Sequence, residues 1–184
     1  MQRFEKIIRN NLQGNKVLLF FITTTSIYLI MILVTIPKVM SYGSGMQLLD
    51  MMPTGYDLEY VDTLFEALGQ EGREAYLQQQ IPFDMLYHGL FAITYSLILA
   101  YFLNKIDTLK RPFVYLCILP IVAGLMDYAE NVGIISMLTS YPEISSSAVT
   151  ITGSFSLLKS MSTTIFFVIL FVVVITFGIS TLRK

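Results

Sequence analysis

The sequence predicts an all-α integral membrane protein, a four-helix bundle, on three observations. Hydrophobic residues make up 54% of the 184-residue chain and charged residues only 14%, against about 25% charged in a soluble domain. Four apolar runs, 17–37, 82–103, 113–138 and 151–180, each match or exceed the roughly 20 residues that cross a hydrocarbon core of about 30 Å. Basic residues cluster at alternate ends of these runs, the distribution that orients membrane helices. The whole of 1–184 then forms a single membrane domain.

The first run is preceded by Arg3, Lys6, Arg9 and Lys16, which holds the N-terminus on the cytoplasmic side. Its uncharged stretch is longer than the about 7–15 apolar residues of a secretory signal, and no A-x-A site follows. A retained first span is expected. The connection 41–81 is predicted to be an outer helical loop. Between residues 38 and 81 it carries seven acids, Asp50 and Asp57 among them, against Lys38 and Arg73. Leu58, Val61, Leu64, Phe65 and Leu68 recur at helical spacing up to a stop at Gly69, with Asp57 as N-cap. A second short helix over 71–80 ends before Pro82 opens the second span. This amphipathic pair is expected to lie over the bundle mouth as a lid.

Lys105, Lys110 and Arg111 return the chain to the cytoplasm, and Arg183 with Lys184 places the C-terminus there too. Pro120 is expected to kink the third span, and Gly124, Gly133 and Ala123 to let its neighbours approach closely. The single Cys117 leaves neither an internal disulfide nor a CxxC redox pair. The single His88 rules out bis-histidine haem ligation. A net charge of −1 offers nothing to nucleic acid.

Ionisable residues inside apolar spans are costly and mark function. Asp84 and His88 lie one turn apart on the second span, Asp127, Glu130 and Asn131 share a face of the third, and Lys159 sits in the fourth. At 1.5 Å per residue from the outer ends, His88 lies about 9 Å deep and Lys159 about 12 Å, so all fall in one outer-leaflet slab. Inward side chains on facing helices are how bundles build sites. The candidate catalytic set is therefore Asp84, His88, Asp127, Glu130 and Lys159. Asn131, Tyr87, Tyr95 and Tyr128 are the candidate ligand-binding residues.

Acids outnumber bases in this slab, so a proton or a cation must balance them. No cofactor is expected. A divalent metal on Asp84/His88 and Asp127/Glu130/Asn131 is the alternative, without an HExxH motif to support it. Four spans with cytoplasmic ends, a folded first outer loop, Asp84 and His88 on span two, and the segment Met126-Asp-Tyr-Ala-Glu-Asn-Val132 resemble the EXPERA group of membrane proteins, which includes sterol isomerase and the sigma-2 receptor. That resemblance implies a carboxylate-lined cavity for a sterol-like or cationic amphiphile. The Asp-Tyr-Ala-Glu-Asn run also resembles uncharacterised bacterial four-helix membrane proteins.

The expected function is a multi-pass plasma-membrane protein. Its outer-leaflet site binds or chemically modifies a lipid-like, isoprenoid or cationic amphiphile by acid-base chemistry. The alternatives are a non-enzymatic carrier, or an interaction or immunity-type protein whose intramembrane charges are structural. A protein partner on the acidic loop or a homo-oligomer is compatible with each.

Overall fold

The computed structural model describes residues 2–183, so the C-terminal Lys184 of the charge pattern lies outside them. The described residues are all-helical, without strands. The helices are α1 (Gln2–Arg9), α2 (Gly14–Tyr42), α3 (Leu58–Ala75), α4 (Ile81–Lys105), α5 (Leu119–Ser140) and α6 (Ser146–Leu182). Four stretches, Gly14–Tyr42, Leu58–Lys105, Phe113–Ser140 and Ser146–Leu182, are long and apolar enough to cross a membrane. Leu33 on α2 and Phe171 on α6 are 69% and 67% exposed, as suits side chains facing lipid rather than protein.

α4 is the hub. It packs against α2, α5 and α6, and the most extensive interface joins α5 to α6. No comparable contact joins α2 to α6, so the bundle has an open flank between them. Arg9 donates to the Leu109 carbonyl, and the rings of Phe102 and Phe177 lie 5.4 Å apart. Helix α1 and the last turns of α6 therefore sit at the same end of the bundle as the α4–α5 connection.

Two apolar clusters divide the interior. One, at the end carrying the 43–57 loop, joins Val61, Leu64, Phe65, Tyr76, Ile134 and Val149. The other, at the terminal end, joins Phe91, Leu103, Val114, Ala123 and Phe166. On α4, α5 and α6 the polar residues fall between these two sets, so the charged layer is sandwiched by hydrocarbon.

Helix α3 begins as its sequence requires. Asp57 is extended at φ −104° and ψ 174°, and its side chain accepts from the Tyr60 backbone N–H at 2.8 Å. The first helix of this range stops where its sequence expects. Gly69 leaves helical geometry at φ 61° and ψ −172°, so two helices meet there at a kink. That region belongs almost entirely to glycine. Gly69→Ala should therefore cost about 1–3 kcal/mol, and a thermal melt in detergent would read it as a lowered midpoint. An unchanged midpoint would show that the bend tolerates an ordinary residue.

The expected second helix is the part of α3 beyond Gly69, and its winding continues without a break to Pro82. The chain runs from α3 through a wide π turn, Tyr76–Gln80, directly into α4. α2 carries the same device, a π turn at Met31–Thr35 just before Ile36 and Pro37. A proline lacks an N–H and its ring crowds the carbonyl four residues back, and a widened turn relieves both. Pro120 likewise does not kink a helix interior. Phe113–Ile118 winds as a 3₁₀ helix, and Pro120 falls at the second residue of α5, where its missing N–H is tolerated.

The small residues do permit close approach. A methyl group on Gly124 would lie 3.1 Å from the His88 carbonyl oxygen, and one on Gly133 only 2.1 Å from Thr152 Oγ1. Backbones brought this near set α4, α5 and α6 at a spacing where short side chains can meet.

Candidate functional site

The six ionisable and amide residues singled out by the sequence converge. Asp84, Asp127, Glu130, Asn131 and Lys159 are all buried, the last at 9% exposure. His88 Nδ1 lies 3.2 Å from Asp84 Oδ1 and 3.0 Å from Asp127 Oδ2. Asn131 Nδ2 bridges the same two acids, donating to Asp84 Oδ2 at 2.8 Å and to Asp127 Oδ2 at 2.9 Å. Lys159 Nζ is 3.2 Å from Asp127 Oδ1 and 2.5 Å from Glu130 Oε2. The Glu130 contact is one of charge, outside hydrogen-bond geometry. Ser156 donates to the other Glu130 oxygen.

Helix periodicity explains the convergence. Asp84 and His88 stand one turn apart on α4, Asp127, Glu130 and Asn131 cover one face of α5, and Ser156 and Lys159 follow on α6 at i, i+3. The close contacts at Gly124 and Gly133 then bring the three faces within side-chain reach.

The structure adds a member that the sequence does not single out. Asp50, in the 3₁₀ turn Leu49–Met51 of the loop, folds inward as a strap over the layer. Lys159 Nζ donates to its backbone carbonyl at 3.1 Å. Its carboxylate accepts from the Tyr76 hydroxyl at Oδ1 and from Gln80 Nε2 at Oδ2, 2.9 Å away. Gln80 in turn accepts from Thr35, so the two π turns are tied to each other and to the strap. One signal was available: Asp50 interrupts the apolar run 48–52. In a loop rich in acids that signal is diluted, and Gln80 ends a Gln-Gln-Gln run of no evident meaning.

A cavity of about 440 Å³ opens beside the layer. Asp50, Asp84, His88 and Lys159 line it on one side, and Tyr28 and Ile32 of α2 on the other. Met51 and Pro53 place the strap in its wall. The cover over the layer is thus the strap, whereas the α3 helix pair expected as a lid packs into the loop-end apolar cluster.

The three tyrosines separate. Tyr87 lines the cavity, its ring tilted against Tyr28 at 5.2 Å and edge-on to the His88 imidazole at 4.8 Å. Tyr128 donates to the Met85 carbonyl at 2.8 Å and pins α5 to α4. Tyr95 packs among Phe91, Phe166 and Phe167. Neither Tyr128 nor Tyr95 bonds a carboxylate among the described residues.

One carboxylate, one imidazole nitrogen and a second carboxylate, from Asp84, His88 and Asp127, lie within 4.8 Å of one another. Each already has an internal partner in the bonds above. Counted as ions, the layer holds Asp50, Asp84, Asp127 and Glu130 against Lys159 and His88, leaving two negative charges over even with the imidazole protonated. Asn131 Oδ1, fully buried, accepts from no described residue. The layer is short of protons or cations.

Asp50 lies outside the spans. Burial and the nearby Asp84 charge push its carboxyl up from 3.8 to about 6, against the pull of Tyr76, Lys159 and Gln80. A carboxyl that holds its proton more tightly folded than unfolded stabilises the fold at low pH. That contribution is lost as pH rises from about 4 through about 6. Melting midpoints in detergent should therefore fall across this range more steeply for the parent than for Asp50→Asn. Identical slopes would contradict it.

No family model, no curated protein and no solved structure matches this chain. The resemblance to the EXPERA group therefore rests on the topology and residues given above.

Proposed function

We propose that this is a multi-pass membrane protein whose buried acid, histidine and lysine layer takes the polar head of a lipid-like molecule entering from the bilayer between α2 and α6. One observation carries this: the cavity has an ionisable wall and an apolar wall, and it lies between the two helices that scarcely touch. Pockets for small molecules are of this size and combine apolar lining with a few convergent polar groups. Scaffolding alone would favour charges paired to neutrality, whereas this layer is acidic in excess and keeps space beside the excess. Gain or loss of a proton by the layer as a head group binds is the chemistry it is equipped for.

The charge pattern supports the reading that both termini are cytoplasmic and that the layer lies in the outer leaflet of a plasma membrane. Cysteines introduced at Ser44 and Ser146 should react with an impermeant maleimide added to intact cells, and one at Asn11 should not. Labelling of Asn11 would reverse the orientation.

The cavity itself is tested by photolabelling in phosphatidylcholine nanodiscs with a hexadecyl chain that carries a polar head and a diazirine. Tyr28 and Ile32 should be labelled in competition with unlabelled hexadecanol. Ile32→Trp, which fills the cavity, should abolish that labelling. Equal, non-competable labelling of Leu33 and Phe171 on the outer faces, unaffected by Ile32→Trp, would reduce the cavity to ordinary lipid contact.

A further inference from the structure

We propose that the Asp50 carboxylate is the counter-ion for a cationic head group in the cavity, taken up in exchange for a proton. This rests on the cavity being an amphiphile site, and it names the class of amphiphile. Each of the other acids has a cationic neighbour: Lys159 serves Asp127 and Glu130, and the His88 imidazole serves Asp84 and Asp127. Asp50 has none for its side chain among the described residues. Tyr76 and Gln80, its side-chain partners, are neutral donors, and Lys159 reaches only its backbone carbonyl.

The uncompensated charge therefore concentrates at Asp50. Asp50 and Asp84 both line the cavity, and Lys159 is the one lysine or arginine that does so. Lys159 is committed to α5. A cation in that space would meet two carboxylates with lone pairs to spare, while the Tyr87 and Tyr28 rings offer aromatic faces that attract cations. The groups facing Asp50 are Tyr76 from the π turn, Asp84 and His88 from α4, Lys159 from α6 and Tyr56 from its own strap. Below about pH 6 the Asp50 carboxyl carries a proton. An arriving ammonium keeps its own protons and displaces that one, which leaves to solvent. One positive charge enters, one proton departs and the charge of the layer is conserved.

The experiment uses the full chain in phosphatidylcholine nanodiscs and isothermal titration calorimetry with hexadecylamine, charged throughout pH 5–7, and hexadecanol, its neutral analogue. Hexadecylamine should bind roughly tenfold more tightly at pH 7 than at pH 5, following ionisation of one carboxyl. Its binding heat at pH 5.5 should depend on the buffer, which reports proton release. Hexadecanol should show neither effect. Asp50→Asn should weaken hexadecylamine at least tenfold at pH 7 and flatten its pH dependence, while binding hexadecanol as the parent does. If it binds neither compound, Asp50→Glu decides: the retained charge should keep the preference for the amine. An Asp50→Asn variant with the parent's amine affinity at both pH values, or an Asp50→Glu variant that prefers the alcohol, overturns the Asp50 assignment alone. Failure of the parent to bind either compound saturably overturns the amphiphile site itself.

Discussion

Lys159→Met should destabilise the bundle by about 3–5 kcal/mol, the cost of orphaning a buried charge. The Lys159 ammonium is nearly sealed from solvent and is held by Asp127 at 3.2 Å, Glu130 at 2.5 Å and the Asp50 carbonyl at 3.1 Å. Methionine keeps the length and apolar stem, so the loss isolates the charge. Removing one acid as well would relieve only part of the cost, because Lys159 serves two. The triple change Lys159→Met, Asp127→Asn, Glu130→Gln should recover most of the stability, since replacing a buried ion pair by neutral groups is often nearly neutral. Unfolding in mixed detergent measures all three proteins. A triple variant no more stable than the single one would show that the lysine acts through packing. If the triple variant recovers both its fold and its ligand binding, the ion pairs are scaffolding.

Gly133→Ala should cost about 3 kcal/mol, at the upper end of overpacking penalties. The added methyl would lie 2.1 Å from Thr152 Oγ1, 2.6 Å from its Cγ2 and 2.9 Å from its Cβ. Thr152 cannot swing away freely, because it is buried and its hydroxyl donates to the Ala148 carbonyl at 2.7 Å. α5 and α6 must therefore separate, and with them the Glu130–Ser156 and Asp127–Lys159 contacts. Thr152→Gly in the same chain should restore much of the loss. Gly178→Ala is the control: nothing lies within 4 Å of the added methyl, and alanine favours the helix. Equal effects at positions 133 and 178 would mean that the α5–α6 contact is looser than described.

The spans and most of the polar layer were legible because a charge within an apolar run contradicts its surroundings. Asp84, His88, Asp127, Glu130, Asn131 and Lys159 stand out for that reason, and a helical period of 3.6 assigns them to common faces. Asp50 does not stand out, since an acid in an acidic loop satisfies every local expectation. Its place in the layer depends on how the chain folds back from 43 to 57, which no periodicity encodes. Tyr95 and Tyr128 show the opposite failure. Both lie at suitable depths, but depth does not say which way a ring turns, and packing assigns one to an aromatic cluster and the other to the Met85 carbonyl. Pro82 opens α4 as expected, whereas Pro120 falls at the second residue of α5, and the change from 3₁₀ to α winding there takes the place of a kink.

The two π turns also separate chain length from helical phase. Each residue added to or removed from an α-helix rotates everything beyond it by about 100°, which would carry Asp84 and His88 out of the layer if it happened between α3 and α4. A π turn is a place where the chain holds one residue more than a regular helix would, while the flanking segments keep their facing. The stretch Tyr76–Gln80 thus works as a clutch between α3 and α4. With Thr35 bonded to Gln80 across to the matching turn in α2, slippage in either helix would be felt by the other. A change of chain length before Tyr76 can then be taken up at that turn while the charged layer keeps its facing.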